Sequence, residues 1–186
     1  MLKQLRHEGA GEAPVLQTDR LRLRPFRPED LGAHAAMMLD PRVVRYLGGS
    51  PMTREDAWRR MVAGHGMWAM VGYGYWAVER RSDGAWLGQV GFADFKRDMD
   101  PSIEGLPEMG WIFAADAQGQ GYAGEAIAAG LAWADQALSA PEIVAIIHPD
   151  NRPSIRVAER GGFNERTDAS YRGARMLLFR RACRAR

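Results

Sequence analysis

The sequence predicts an α/β domain whose mixed, mostly antiparallel central sheet is flanked by helices. The first observation is the order of its periodic segments, β-α-α-β-β-β-α-β-α-β-β, which mixes strand pairs joined by turns with helices. The second is size, because 186 residues suit one domain with one substantial core. The third is composition, since 46% apolar and 26% charged residues are ordinary for a globular protein.

The first half of the chain predicts one strand and three helical segments after a flexible N-terminal arm at residues 1–14. The domain itself is expected over residues 15–182. RLRLRPF at 20–26 alternates basic and apolar residues, which is typical of a strand with one buried face. Proline with two acidic residues opens the next helix, a short helical piece follows, and Thr53 is the expected N-cap of the third. These helices are expected at 28–39, at 42–47 and from residue 54 onwards.

The second half predicts six strands and two helices. Arg81-Ser82-Asp83-Gly84 separates two apolar strands and so predicts a hairpin. Residues 97–107 are expected to form a polar loop, and Gly161-Gly162 closes the last helix. The elements, in chain order, are strands at 75–80, 86–95 and 108–114, a helix at 121–138, a strand at 142–147, a helix at 151–160, and a terminal hairpin at 163–168 and 171–180.

Charge and cysteine content exclude several classes of protein. Lys and Arg number 25 against 23 Asp and Glu, a net charge of +2, so no nucleic-acid partner is expected. Cys183 is the one cysteine, which excludes an intramolecular disulfide and favours a reducing compartment. The four histidines are scattered, so no metal site is expected. Without a signal-like segment or an apolar run that could cross a bilayer, we expect a cytoplasmic protein with no membrane partner.

The most informative stretch is a glycine turn between the strand at 108–114 and the helix that follows. It consists of Gln118, Gly119, Gln120, Gly121, Tyr122 and Ala123. Glycines leave the backbone N–H groups uncovered, and these groups lie at a helix N-terminus, where the helix dipole is positive. The turn therefore predicts an anion site suited to phosphate. An ordinary strand–helix connection is the alternative interpretation.

Three nucleotide-binding patterns compete for this turn. A Walker loop needs Gly-Lys followed by Ser or Thr, and residues 121–123 fail that test. Gly119-x-Gly121-x-x-Gly124 matches the dinucleotide pattern. However, several residues separate these glycines from their strand, and too few residues follow to complete a doubly wound sheet. The third pattern is the acyl-coenzyme A turn, Gln/Arg-x-x-Gly-x-Gly/Ala, and every fixed position of it is present.

The chain resembles the GNAT superfamily of N-acetyltransferases through motifs that occur in the superfamily's order. The first motif is the turn itself. The second is HPDNRPS at 148–154 with the ending RGGF at 160–163, where an Asn opens a helix that ends in Gly-Phe. Leu16–Leu23 and Leu31 are similar to the T-x-R-L-x-L-R opening of the branch that includes the ribosomal-protein N-terminal acetyltransferases. The resemblance spans residues 16 to 180 and implies the GNAT fold.

The resemblance implies acetyl-CoA as co-substrate, bound where the strands at 108–114 and 142–147 splay apart. Its pantetheine arm would pair with the backbone of Trp111 and Phe113, and the amide of Trp111 would polarise the thioester carbonyl. Asn151 would bond the same arm, although an N-cap role is equally compatible. The coenzyme-binding residues implied are Trp111, Phe113, Gln118, Gly119, Gln120, Gly121, Tyr122, Ala123, Asn151 and Ser154.

Acetyl transfer to an amine needs a base, because most amines are protonated at pH 7. By resemblance Glu108 is the expected base, with a surface salt bridge as its alternative role, and Glu104 in the preceding loop is the reserve candidate. Many family members carry a tyrosine acid in the last helix, but Ala158 occupies that position here. The leaving thiolate could then be protonated by Ser154 or by water, or it could leave without an acid. Ser154 is therefore the second candidate catalytic residue.

The predicted activity is direct transfer of an acetyl group from acetyl-CoA to a primary amine. The acceptor stays open between a protein N-terminus and a small-molecule amine such as an antibiotic, a polyamine or an amino acid. Homodimers are common in the superfamily, so a homodimer is allowed for. Two other functions stay open: a non-catalytic acyl-CoA sensor that uses the same turn, and the dinucleotide-binding protein considered above.

Overall fold

One continuous sheet organises the chain, and the computed structural model describes residues 11–48 and 51–183 of it. The strands are β1 (Leu16–Gln17), β2 (Leu21–Arg24), β3 (Tyr75–Arg80), β4 (Trp86–Ala93), β5 (Met99–Asp100), β6 (Glu108–Phe113), β7 (Glu142–Ile147), β8 (Glu165–Tyr171) and β9 (Ala174–Ala182). They follow the spatial order β1-β2-β3-β4-β6-β7-β9-β8-β5. Among these strands every pair of neighbours is antiparallel except β6 and β7. The mixed, mostly antiparallel sheet that the sequence predicts is confirmed.

The helices cover both faces of the sheet. They are α1 (Leu31–Leu39), α2 (Pro41–Val44), α3 (Arg54–Val71), α4 (Tyr122–Ala137) and α5 (Arg152–Arg160), with short 3-10 turns at Pro28–Asp30 and Ala115–Ala117. The main core packs α4 and α5 against one face, around the fully buried Trp76, Phe92 and Phe163. Smaller apolar clusters pack α1, α2 and α3 against the other face. No helix within the described ranges is long and apolar enough to cross a membrane.

The helix ends follow local sequence signals. Thr53 caps α3 as predicted, since its hydroxyl accepts from the Asp56 amide at 3.1 Å while the Asp56 carboxylate accepts from the Thr53 hydroxyl at 2.7 Å. The glycines inside α3 do not end it, and the helix continues to Val71. Strands β3 and β7 have the predicted bounds, and β4 ends at Ala93, two residues short of the predicted Phe95.

Two short strands were missed by sequence reasoning. The prediction that 97–107 is a polar loop is wrong at Met99 and Asp100, which form β5 and pair with Tyr171 and Ser170 of β8. Buried Met99 packs in a small apolar cluster with residues of β7, β8 and β9, a contact that the polar composition of the segment hides. β1 was also unpredicted, because two residues are too short to show a period.

The predicted N-terminal arm is described only from residue 11, and residues 1–10 lie outside the described residues. Near the end of the arm, Ala13 is buried in the main core. The carbonyl of Pro14 accepts a hydrogen bond from the Trp76 indole at 2.8 Å. The boundary between arm and domain stays a prediction.

A buried ion-pair network joins β2, β3 and the start of α1. Arg24 is 5% exposed and donates to both oxygens of Asp30 at 2.8 Å, while its Nε donates to Glu79 at 2.6 Å. The hydrogen bond to Asp30 is the largest cause of a raised Arg24 pKa, which burial opposes. The alternating pattern of β2 placed Arg24 on a solvent face, and this network explains why it is buried instead.

Arg24→Met should lower the free energy of unfolding by about 3–5 kcal/mol, because it leaves two carboxylates without their buried partner. Arg22→Met is the matched control. Its guanidinium lies 4.0 Å from Glu79 and the side chain is 41% exposed, so the loss should stay within about 1 kcal/mol. Urea denaturation measures both variants, and equal losses would show that the network adds little to stability.

Candidate functional site

β6 and β7 touch where they begin and then separate. In the described part of the chain one bridge joins them, Glu108 opposite Val144, with the Val144 amide donating to the Pro107 carbonyl at 3.0 Å. Beyond that bridge each strand pairs only with its outer neighbour, β6 with β4 and β7 with β9. The sheet therefore contains a wedge between two parallel strands, closed at Glu108 and open toward the end of β6.

The register of β6 decides which of its backbone groups face the wedge. The Ala114 amide donates to a carbonyl of β4 at 2.9 Å, whereas the Pro107 carbonyl accepts from β7. Because successive backbone groups of a strand alternate in direction, the amides of Met109, Trp111 and Phe113 point away from β4 and into the wedge. This is the orientation that the predicted coenzyme contacts of Trp111 and Phe113 require.

The glycine turn lies at the open end of the wedge, between β6 and α4. Gly119 and Gly121 have φ of +77° and +81°, left-handed conformations that glycine adopts without strain. Gly121 is also the N-cap of α4. Within residues 11–48 and 51–183 no group accepts a hydrogen bond from the amides of 119–124. These free donors at the positive end of a helix form a site for an anion.

The two glutamines of the turn fix its shape. Gln118 donates through Nε2 to the Phe113 carbonyl at 3.0 Å, which ties the turn to the end of β6. Gln120 donates through Nε2 to the Asp116 carbonyl at 2.7 Å. Both side-chain amides are therefore used inside the protein, and the free backbone amides are the groups left to bind a ligand.

Arg20 lies between β1 and β2 and holds the glycine turn in place. Sequence reasoning missed this residue. Its Nη1 donates to the Gln120 carbonyl at 3.0 Å, and its guanidinium carbon lies 4.7 Å from the centre of the Tyr122 ring. Its Nε lies 2.7 Å from a carboxylate oxygen of Glu125 in the first turn of α4. Arg20 therefore adds a positive charge beside the free amides and supports the turn mechanically.

Thr18 completes this support. Its hydroxyl donates to Glu125 at 2.5 Å, and the Arg20 amide donates to the same oxygen at 3.0 Å. Burial alone would raise the pKa of Glu125, but the hydrogen bonds from Thr18 and Arg20 together lower it, so the carboxylate stays charged. Thr18 and Arg20 belong to the T-x-R-L opening of the domain, and that motif was the signal that could have found them.

Glu108 occupies the closed end of the wedge, where it is 6% exposed. Its two oxygens accept from Nε and Nη2 of Arg97 at 2.5 and 2.9 Å. The salt bridge considered as its alternative role is thus present, although it is buried. Each carboxylate oxygen can accept a further hydrogen bond, so the pair leaves Glu108 able to contact a ligand. Glu104, the reserve base, is exposed in the loop before β6.

Tyr75 contributes a buried hydroxyl beside Glu108. A Cβ at Gly110 of β6 would lie 2.1 Å from this hydroxyl, so only glycine fits there. Burial, and then the charge of Glu108, raises the pKa of Tyr75 and keeps its phenol protonated. The phenol is therefore available as a hydrogen-bond donor, a role that its position in an apolar strand did not indicate.

Asn151 and Ser154 lie at the start of α5, just after β7. The Asn151 side chain accepts from the Ser154 amide at 3.2 Å, which confirms its N-cap role. Ser154 is half-buried, and contacts of either residue with the coenzyme stay predictions. Ala158 is fully buried in the main core, so the usual tyrosine acid has no counterpart at this position.

The chain belongs to the GNAT family of acetyltransferases. Its residues 20–164 match the family model described as an acetyltransferase (GNAT) domain. It is thus an enzyme that moves an acetyl group from acetyl-CoA to an amine. A doubly wound sheet would be parallel, whereas β6 and β7 form the one parallel pair among the described strands. The dinucleotide alternative is therefore wrong.

Similar proteins come from several bacteria. YkkB of Bacillus subtilis (strain 168), an uncharacterised protein, is 32% identical over 155 residues, which cover 80% of this chain and 84% of YkkB. A GNAT-family acetyltransferase structure from Bordetella pertussis is 35% identical, with a TM-score of 0.79 over 91% of this chain and 100% of that one. An acetyltransferase structure from Agrobacterium tumefaciens str. C58 is 29% identical, with a TM-score of 0.76 over 97% and 98% of the two chains.

Gly121→Val should abolish acetyl-CoA binding. A branched residue opposes the φ of +81°, and its Cβ would lie 3.3 Å from Nη2 of Arg20, so both the turn and its cation must shift. Gly105→Val is the matched control, because Gly105 has φ of +82° in a separate loop with open space around it. Calorimetric titration with acetyl-CoA measures the affinity. Normal binding by a folded Gly121→Val protein would show that the turn has a purely structural role.

Proposed function

We propose that the wedge binds acetyl-CoA with its pyrophosphate at the glycine turn, its pantetheine arm between β6 and β7, and its acetyl group beside Glu108. The observation that carries this proposal is the continuity of polar groups along one path. The path begins at the free amides of 119–124, passes the inward-facing amides of Phe113 and Trp111, and ends at a carboxylate.

The electrostatics of the path suit the coenzyme. The pyrophosphate is anionic, and the open end of the wedge offers free amides, a helix dipole and the Arg20 guanidinium. The pantetheine arm is neutral and carries two amides, which can pair with strand backbone as a peptide does. At its closed end the wedge presents the Glu108 carboxylate, where the acceptor amine must lose its proton.

The proposed reaction is a direct transfer. The neutral amine attacks the thioester carbon, a C–N bond forms, and the carbonyl electrons move to an oxyanion bonded by the Trp111 amide. The oxyanion then collapses, the C–S bond breaks, and the coenzyme leaves as a thiolate. Before the attack, the ammonium form of the acceptor gives one proton to Glu108, directly or through water. The second proton leaves the nitrogen as the oxyanion collapses and goes to the thiolate.

The leaving thiolate needs little assistance. A thiol titrates near pH 8.5, so its anion is a far better leaving group than an alkoxide. Ser154 or water can supply the proton, and the buried Ala158 removes the acid used elsewhere in the family. Ser154 therefore stays in the proposal as a second catalytic residue, near the sulfur.

The acceptor is a primary amine, either a protein N-terminus or a small molecule. Fold neighbours support this breadth: the spermidine N-acetyltransferase from Vibrio cholerae, 18% identical, is bound to CoA and spermine, and AAC(6')-Ib, 16% identical, to paromomycin and acetyl-CoA. The ribosomal-protein-S5-alanine acetyltransferase from Vibrio fischeri, 16% identical, shares the fold with a TM-score of 0.67. We also propose that the protein acts in the reducing cytoplasm and forms a homodimer.

Acetyl-CoA should raise the melting temperature, whereas NADH and ATP should do so far less. Ligand at a hundredfold excess over Kd adds about 2.7 kcal/mol to the stability of the folded state. Differential scanning fluorimetry measures the shift. An equal shift with NADH would contradict an acetyl-CoA-specific wedge.

Thiol release across a panel of amines, measured with acetyl-CoA bound, distinguishes the enzyme from a sensor. A sensor would bind the coenzyme without releasing thiol.

Glu108→Gln should lower the transfer rate about 10²–10⁴-fold at pH 7, as expected when a general base is lost. Coenzyme affinity should hardly change, because glutamine keeps the size of the side chain and can still accept from Arg97. The defect should shrink as pH rises, since more of the amine is then neutral. Glu104→Gln is the matched control and should keep the wild-type profile. Thiol release measured as a function of pH gives these rates. An unchanged rate in Glu108→Gln would show that Glu108 is not the base and serves only as the ion-pair partner of Arg97.

A further inference from the structure

A depression of ≈ 620 Å³ lies beside the closed end of the wedge. It is lined by residues 95–100, between β4 and β5, and by residues 170–173, at the turn between β8 and β9. Arg97 belongs to this lining and also holds Glu108. Arg97 therefore connects the depression to the predicted base, and an occupant bound to Arg97 lies close to Glu108.

Stacked arginine and aromatic side chains form part of this lining. The guanidinium carbon of Arg97 lies 4.9 Å from the centre of the Phe95 ring and 4.8 Å from that of Tyr171. The guanidinium carbon of Arg172 lies 5.2 Å from the same Tyr171 ring. Two positive charges are thus held near one ring, and an anion that contacts both would reduce their mutual repulsion.

Both arginines have capacity left for an anion. The bonds of Arg97 to Glu108 use Nε and Nη2, which leaves Nη1 outside that pair. Even with the hydrogen bond between Arg97 and Tyr171, the five N–H groups of the guanidinium leave donors for an anion. Arg172 is exposed and forms no ion pair within residues 11–48 and 51–183. The third cation of the lining, Lys96, is by contrast bonded to Asp94 at 2.6 Å.

Acidic residues are also present. Asp98 and Asp100 line the depression and are exposed. They favour a ligand that carries an ammonium group, which is the charge of an amine acceptor before it loses its proton. The depression thus presents both signs of charge beside Glu108, and it suits a zwitterion better than a simple cation.

We propose that the acceptor is an α-amino acid, or an amine with a carboxylate equally near, whose carboxylate binds Nη1 of Arg97 and the guanidinium of Arg172. Arg97 and Glu108 are in direct contact, and an α-amino acid carries its amine one carbon from its carboxylate, so the amine then lies beside Glu108. This inference rests on the proposed function of the wedge. It disfavours a peptide N-terminus, which has no carboxylate at that distance.

Matched acceptors test this recognition by thiol release from acetyl-CoA. The panel contains the common L-amino acids, their α-amides and the corresponding decarboxylated amines. An amide has a less basic amine than the free amino acid, so more of it is neutral at pH 7, and proton loss alone would favour the amide. We expect instead that kcat/KM for the best free amino acid exceeds that of its amide and its decarboxylated amine at least tenfold.

Arg172→Gln tests the carboxylate contact. It should raise KM for that amino acid at least tenfold, change kcat little, and leave its decarboxylated amine unaffected. Arg175→Gln is the matched control, because Arg175 lies in the same hairpin, carries the same charge and is paired with Asp168. Its kinetics should match the wild type.

The outcomes distinguish failure of the proposed carboxylate contact from failure of the proposed acetyl transfer. Amides or decarboxylated amines that react as well as the free amino acid would overturn the inference and leave the acetyltransferase proposal standing. The same holds if Arg172→Gln and Arg175→Gln behave alike. Absence of thiol release from every amine, with acetyl-CoA bound, would overturn the proposed function and this inference with it.

Discussion

Unpaired backbone along two parallel strands is the constraint on which the site depends. β6 and β7 share the bridge at Glu108 and Val144 and then diverge, although strand N–H and C=O groups strongly favour a partner. The inward-facing groups at Trp111 and Phe113 are left for water or for a ligand that can itself donate and accept. A ligand with an amide-bearing arm satisfies them as a strand would, which explains how an otherwise ordinary sheet acquires a binding site.

The two ends of this wedge have different electrostatic character. At the open end, free amides and Arg20 create positive potential, and the charged Glu125 serves to position Arg20. At the closed end, the charge of Glu108 is balanced by Arg97. A molecule that is anionic at one end is therefore favoured in one direction, with its anionic end at the glycine turn and its other end toward Glu108.

Local features were predictable from sequence, whereas contacts distant in sequence were not. The glycine turn, the Thr53 cap and the bounds of β3 and β7 follow from turn chemistry, capping preferences and hydrophobic period. The support of the turn by Thr18 and Arg20 joins residues more than 100 positions apart, and polar pairs of this kind leave no periodic pattern. Burial of Arg24 was missed because its partner Glu79 lies on another strand, and the Arg97–Glu108 pair was missed because the loop that carries Arg97 shows no regular pattern.

The apolar core is divided unevenly across the wedge. On the α4 face one cluster continues from Trp76 and Phe92 of the first half of the sheet to Ile143 and Phe179 of the second. On the opposite face the clusters beneath α1, α2 and α3 are separate from the one formed by Val144, Ala169 and Leu178. The continuous apolar cluster beneath α4 therefore joins the two halves of the sheet across the wedge. On the opposite face each described apolar cluster stays on its own side of the wedge, so the two halves of the sheet depend on the α4 face to hold their relative position.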